Sequence, residues 1–361
     1  MSNALTGLKQ TLAVKKAASW GTAVACVAGD GIQFLSGQAK RDAPVELDNS
    51  RGQAFAVDGT PGAITCSGAY GLPLRYAGAD VLIAMMMGIA GVPTQQAATT
   101  AYANTYKWAP DVYGKMVTIA KRMIDNAGAG YIEEIPTAKV TGITITGEVG
   151  AKPLQVALEV AGTNREIASA TNTIASFGSV TVPTEAMTNP VMFSHLAFRL
   201  RDVDATALSG TDLIYPSKFT LAIKRNLKGE YTGQYRTTGA NPQDMIDEPT
   251  NENFPEIQLT LEFPTHTAAT WMTALGNDAR KKCDIVATAP GLAGVGYYYK
   301  HTWQFPHLQL LTANPTDSTG RITEPLTFRV IGLAAASAGM AGITDPLWWG
   351  IVNKRTTDPL A

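Results

Sequence analysis

Residues 305–332, FPHLQLLTANPTDSTGRITEPLTFRVIG, decide how this chain is read, because residues 135–162, IPTAKVTGITITGEVGAKPLQVALEVAG, run parallel to them. Ile135-Pro136 falls on Phe305-Pro306 and Val160-Ala161-Gly162 on Val330-Ile331-Gly332, 170 positions apart, with one two-residue slip between. In the first stretch Leu154, Val156, Leu158 and Val160 alternate with Gln155, Ala157 and Glu159. That period of two is the pattern of a strand with one buried and one wet face. The expectation is one β-rich unit made twice.

Working outward, the same order of elements recurs. In the second half Lys218–Arg225 alternates through Phe219, Leu221 and Ile223, a long polar arm spans 226–254, and Glu256–Phe263 alternates through Ile257, Leu259, Leu261 and Phe263. A short apolar helix over 268–275 then ends at Gly276. In the first half a strand near Ile32–Leu35 precedes a polar arm over 40–62, a strand at 63–66, and an apolar helix over 78–87 stopped by Gly88. Residues 92–107, rich in Ala, Thr and Gln, read as an ordered surface loop. Strand returns around Val117 and Ile119, and 139–147 with 153–161 form a hairpin.

The fold class expected is mainly β, a β-sandwich or partly closed barrel of antiparallel sheets with one short helix per copy. The boundaries are a first domain over 1–165, an Asn/Thr/Ser-rich linker over 166–188, a second domain over 189–336 and a tail over 337–361. Trp348-Trp349 in that tail mark docking, onto the chain's own core or onto a neighbouring subunit.

At 361 residues the chain has length for two domains with their own cores. Only 16% of residues are charged and 45% are hydrophobic, a poor supply of surface charge that points to surface buried between chains. The net charge of −1 supplies no basic field to hold nucleic acid. Cys26, Cys66 and Cys283 show no metal spacing and read as buried thiols of a reducing cytoplasm. Ala23–Cys26 superficially has the look of a lipoprotein signal, but lysines interrupt the place where its apolar run belongs. No stretch has the length of a membrane-spanning helix.

No catalytic constellation can be assembled from motifs, so no catalytic, cofactor or metal residue is expected. His195, His266, His301 and His307 are scattered without HExxH or i, i+4 spacing. G-x-S-x-G is absent, as are both phosphate-cradling glycine motifs. Asp202 and Asp204 have the two-apart carboxylates of a calcium loop but lack its glycine and its terminal glutamate, which leaves a solvated turn. Glu133-Glu134 point to opposite faces of a strand and read as a surface edge.

With the residues lined up, the chain resembles the major tail tube proteins of long-tailed, siphovirus-like bacteriophages. The resemblance is carried by Lys15-Lys16, Trp20-Gly21-Thr22, the strand and helix from Ile64 to Gly88, KFTLAIKRNL, an acidic turn IDEPT at 246–250, FPEIQLTLEF and the helix WMTALGN. It covers most of residues 12–335. It implies a structural, non-enzymatic virion protein without cofactors, assembled in the host cytoplasm, whose domains pack two sheets beside a helix. Six such domains form a ring, their inner sheets join into a barrel, and stacked rings form the channel through which DNA is ejected. A two-domain chain would then close the ring as a trimer, with the tape measure and terminator proteins as further partners.

A channel for DNA should repel phosphate, so the wet faces of the inner strands are the candidate wall: Gln155, Glu159, Glu256, Gln258, Thr260 and Glu262. Lys218, Lys224 and Arg225 run against this and are expected at an inter-subunit seam. Trp348 and Trp349 are candidate inter-subunit contacts. Two other readings compete: another tail ring, terminator or baseplate component, and a carbohydrate-binding β-sandwich using Trp108, Trp303 and Tyr297–Tyr299. Abundance in the particle separates the first, and glycan binding by a monomer the second.

Overall fold

A computed structural model of the chain describes residues 9–47, 55, 59–125, 127–231, 245–264, 270–277, 279–318, 321–332, 335–340 and 342–361. Much of both polar arms, 48–54 with 56–58 and 232–244, and the expected start of the second helix lie outside the described residues, as does His266. The chain is mainly β, and among the described residues no barrel closes. Among the described residues all the ladders are antiparallel.

One run of pairing crosses the whole molecule. Ser36–Asp42 pairs with Thr65–Pro73, which pairs with Gln155–Gly162, which pairs with the C-terminal half of Gly130–Glu148. The other edge of that half, Gly142 to Glu148, pairs with Lys218–Lys224. The run continues through Glu256–Phe263 and Arg321–Val330 to the end of Tyr297–Thr312. Eight strands therefore form one continuous sheet, four from each half, with a seam inside the chain between Gly142–Glu148 and Lys218–Lys224.

The alternation that makes these strands also sets their faces. Ile143, Ile145, Val156, Leu158, Val160, Leu221, Ile223, Leu259 and Phe328 are buried on one face, while their chain neighbours, apart from the buried Gly142, stay at least partly wet. At roughly 25 cal/mol per Å² of apolar surface, each such side chain contributes about 1.5–3 kcal/mol by leaving water. The buried face packs under an outer layer in which Thr11–Ala17, Met116–Ile124 and the start of Gly130–Glu148 pair in order. In the other half, Leu196–Asp202, Arg280–Gly294 and Tyr297–Thr312 do the same.

Trp348–Asn353 joins these outer strands. One of its edges pairs with Tyr102–Trp108 and the other with Lys300–Gln304, so the expected tail lies in the middle of the outer layer. A single hydrophobic cluster runs through both halves. Phe177 and Val180, from the expected linker, pack in a smaller cluster with Cys26 and Ala120.

The helix Asp80–Met87 forms where expected; seven of its eight residues are buried, and Gly88 ends it in the left-handed region at φ 88°. Thr270–Gly276 is helical too, and Thr184–Thr188 adds a short helix that the linker reading lacked. Residues 92–107 are not only a surface loop: Tyr102–Trp108 is a strand because Trp348–Asn353 supplies a partner from far along the chain. IDEPT is not a turn either. Asp247–Asn251 is a strand paired with Leu227–Glu230.

Candidate functional site

All six residues predicted for a wall lie on the wet face of the continuous sheet. Opposite residues of an antiparallel ladder share a face, so the rows can be followed from strand to strand. One row runs Pro73, Gln155, Thr146, Thr220, Thr260, Thr327, Thr312. A second runs Ser36, Gly71, Ala157, Thr144, Ala222, Gln258, Arg329. Glu159 and Glu256 belong to a third with Gly142 and Lys224 between them, and Glu262 to a fourth with Lys218 and Glu148.

The surface so built is a field of threonines and small residues with charges at its margins. Thr260 and Thr327 hydroxyls stand 3.5 Å apart. Asp42, Glu148, Glu159, Glu256 and Glu262 supply five carboxylates against four bases, Lys40, Lys218, Lys224 and Arg329. Lys218 sits between Glu148 and Glu262 in the ladder, and Glu256 lies beside Lys224 and 3.6 Å from Arg329. The expected run of acid is thus interleaved with base, and the face as a whole is close to neutral. Lys218 and Lys224, expected at an inter-subunit seam, lie instead along the pairing of the two halves inside the chain.

Arg225 is placed elsewhere than expected. It is 3% exposed, with its guanidinium 3.8 Å from the Trp108 ring centre and its N–H groups donating to the carbonyls of Met86, Met87 and Ala109. It closes the C-terminus of the helix Asp80–Met87, where a cation meets the negative end of the dipole.

Trp349 is 1% exposed, packed on Trp303 and donating from Nε1 to His301 Nδ1 at 3.0 Å. Trp348 is half-buried at a depression lined by Arg199, Asp284 and Gln304. Glu133 and Glu134 are not a surface edge, because both faces of their strand are covered. Glu133 meets Arg165 at 2.7 Å, and Glu134 accepts from Asn172. Asp204, expected in a solvated turn, accepts from Arg201 and Lys282 at 2.9 Å each, which holds its pKa down at about 2.

Sequence reasoning missed most of the threonine rows and saw only the start of the strand Thr65–Pro73, at 63–66. The signal was present: Thr65, Ser67, Ala69 and Gly71 alternate with Cys66, Tyr70 and Leu72. It also missed a buried network in which Asp80 accepts from Tyr106 and Asn353 at 3.0 Å each, tying the first helix to Trp348–Asn353. Among the described residues no group of His, Cys, Asp and Glu is placed to hold a metal ion, and no helix is long and apolar enough to cross a membrane.

The wet face of this sheet is close to neutral, and among the described residues no strand pairs with the outer edge of Ser36–Asp42. A search of curated proteins finds no match. The model of the phage tail tube protein family matches residues 7–330, nearly the whole of this sheet and its outer layer, and the chain belongs to that family.

Proposed function

We propose that three copies of this chain close into a ring of a long-tailed phage, with the wet face of the continuous sheet lining the channel for double-stranded DNA. The observation that carries the reading is the in-chain seam. Gly142–Glu148 and Lys218–Lys224 show two four-stranded blocks joined edge to edge in one sheet, and the same join made between chains continues it. A closed ring leaves no edge open to stray pairing. Stacking ring on ring is a heterologous contact that extends into a filament.

The two blocks correspond in detail, which supports an internal duplication of domains 1–165 and 189–336. The ladder of Gly130–Glu148 with Gln155–Gly162 shifts register between Val140 and Gly142. That of Tyr297–Thr312 with Arg321–Val330 shifts between Leu310 and Thr312, 170 positions on. Gln155, Glu159, Glu256, Gln258, Thr260 and Glu262 face the lumen in this reading. A neutral hydroxyl surface with interleaved charges gives DNA phosphates neither a basic track nor a strong barrier. Half-buried Trp348 is the candidate for contact between subunits, while Trp349 anchors its strand. Tape measure and terminator proteins would meet the ends of the tube, after assembly in the host cytoplasm.

Negative-stain microscopy with mass photometry tests this. Hollow tubes, or rings of three chains, are expected; a monomer at every concentration would overturn it.

A further inference from the structure

Ser36–Asp42 ends the continuous sheet. One edge pairs with Thr65–Pro73, and among the described residues no strand pairs with the other. Two backbone groups on that outer edge are nonetheless occupied. The Gly37 carbonyl accepts from Lys121 Nζ at 2.6 Å, and the Ala39 N–H donates to Glu133 Oε1 at 2.8 Å. Lys121 and Glu133 are opposite each other in the ladder of Met116–Ile124 with Gly130–Glu148, and both are buried. Together they present one donor and one acceptor, which is what a neighbouring strand would offer.

The other half supplies a control. Following the matched ladders from the shared register shifts, Ser36–Asp42 corresponds to Lys218–Lys224: Ser36 lies opposite Gly71 as Lys218 lies opposite Glu262. The pair that corresponds to Lys121 and Glu133 is Ile285 and Trp303, both apolar. There the edge is already taken, by Gly142–Glu148. The polar pair is found only in the half whose edge has no strand.

We infer that Lys121 and Glu133 stand in for a strand of a second copy of this chain, holding the Ser36–Asp42 edge until Thr312–Ser318 of that copy replaces them. This rests on the ring reading above. The in-chain seam fixes the register. Gly142 opposite Lys224 and Thr144 opposite Ala222 become Thr312 opposite Asp42 and Asn314 opposite Lys40. Pro315, which has no N–H to donate, falls opposite Ala39, so this seam has one bond fewer than its in-chain counterpart. Both edges are thereby blunted in the free chain, one by a charged cap and one by proline, as edges must be to avoid indiscriminate pairing.

The test joins the edges by chemistry. Arg225 N–H donates to the Thr141 carbonyl, so Thr144 and Ala222 form a non-hydrogen-bonded pair, the closer kind, and Asn314 and Lys40 inherit that spacing. The variant N314C/K40C is assembled, tubes are verified by microscopy, and the sample is oxidised; the native cysteines are buried. Covalent chain-to-chain multimers are expected, and far fewer from the shifted pair N314C/Q38C. Verified tubes without multimers would overturn the seam and leave the ring reading standing; absence of tubes in the unaltered protein would overturn both. A second variant, K121M/E133M, removes the cap. It is expected to associate at a protein concentration at least ~10-fold lower, a change of about 1.4 kcal/mol. An unchanged concentration would overturn the stand-in role.

Discussion

Lys139 Nζ lies 2.6 Å from Glu248 Oε2, and both side chains are almost without exposure, at 2% and 4%. The pair ties a strand of the first half to the arm strand Asp247–Asn251 of the second. Lys139 donates also to the Pro249 carbonyl, and Glu248 accepts the Gly114 N–H. A buried pair broken on one side leaves an uncompensated charge, at a cost of about 3–5 kcal/mol. E248Q and K139M are each expected to destabilise the chain by that order in denaturant titrations. K139M/E248L should recover most of the loss, and additive losses would show that the two charges are not coupled.

His301 gives the fold a pH dependence. Its Nδ1 accepts from Trp349, its Nε2 faces the Arg75 carbonyl at 3.1 Å, and complete burial lowers its pKa to about 4. The unfolded chain takes up this proton near pH 6.5 and the folded chain only near 4, so stability is full above about 6.5 and is lost as pH falls towards 4. At ~1.4 kcal/mol per unit the loss is on the order of 2–3 kcal/mol. Melting curves from pH 7.5 to 4.5 should show the slope, and H301Q should flatten it; an unchanged slope in H301Q would assign it to other groups.

Arg225 is expected to tolerate no replacement by lysine. Burial lowers its pKa to about 10, which leaves it protonated at neutral pH, and its planar fork serves three carbonyls while stacking on Trp108. An ammonium keeps the charge but cannot hold that geometry. R225K should cost about 1–3 kcal/mol, the penalty for buried acceptors left unmet. Urea unfolding of both proteins measures it, and a cost near zero would mean that charge alone matters.

The wall can be tested apart from stability. The face of Glu159, Glu256 and Glu262 is wet, so substitutions there should change stability by no more than ~0.5 kcal/mol each. E159K/E256K/E262K tubes are expected to retain double-stranded DNA at low salt and to release it as salt rises, because each lysine adds a phosphate contact that displaces counterions. Unaltered tubes should not retain it. Triple-variant tubes that retain no more DNA than unaltered ones would place these residues away from the lumen.

What the sequence made legible follows from where the determining partner lies. Glu256–Phe263 and Gln155–Gly162 each carry their own buried and wet faces, so alternation alone identifies them. The helix Asp80–Met87 is legible because burial on all sides needs no periodicity. Tyr102–Trp108 is different. Its Asn104 is buried only because it meets Asn353, 249 residues away, and nothing local announces that partner. Glu133 and Glu134 were correctly placed on opposite faces, yet both faces are covered, one by the inner sheet's edge and one by residues 166–172. The wall was half legible: its charged residues stand out in sequence, whereas its threonines gain meaning only when ladders set them in a row.

The position of Trp348–Asn353 between Tyr102–Trp108 and Lys300–Gln304 has a consequence for the order of synthesis. A ribosome that has finished the first half has made Tyr102–Trp108 but not the strand that covers its open edge. That edge must wait for some 240 further residues, from Lys107 to Trp348, before its ladder can form. Contacts so distant in sequence close slowly. The first half is therefore not a product that can be finished and set aside. Until the late strand arrives, the nascent chain lacks a settled outer layer, and with it the rigid backing that its ring-forming edges need.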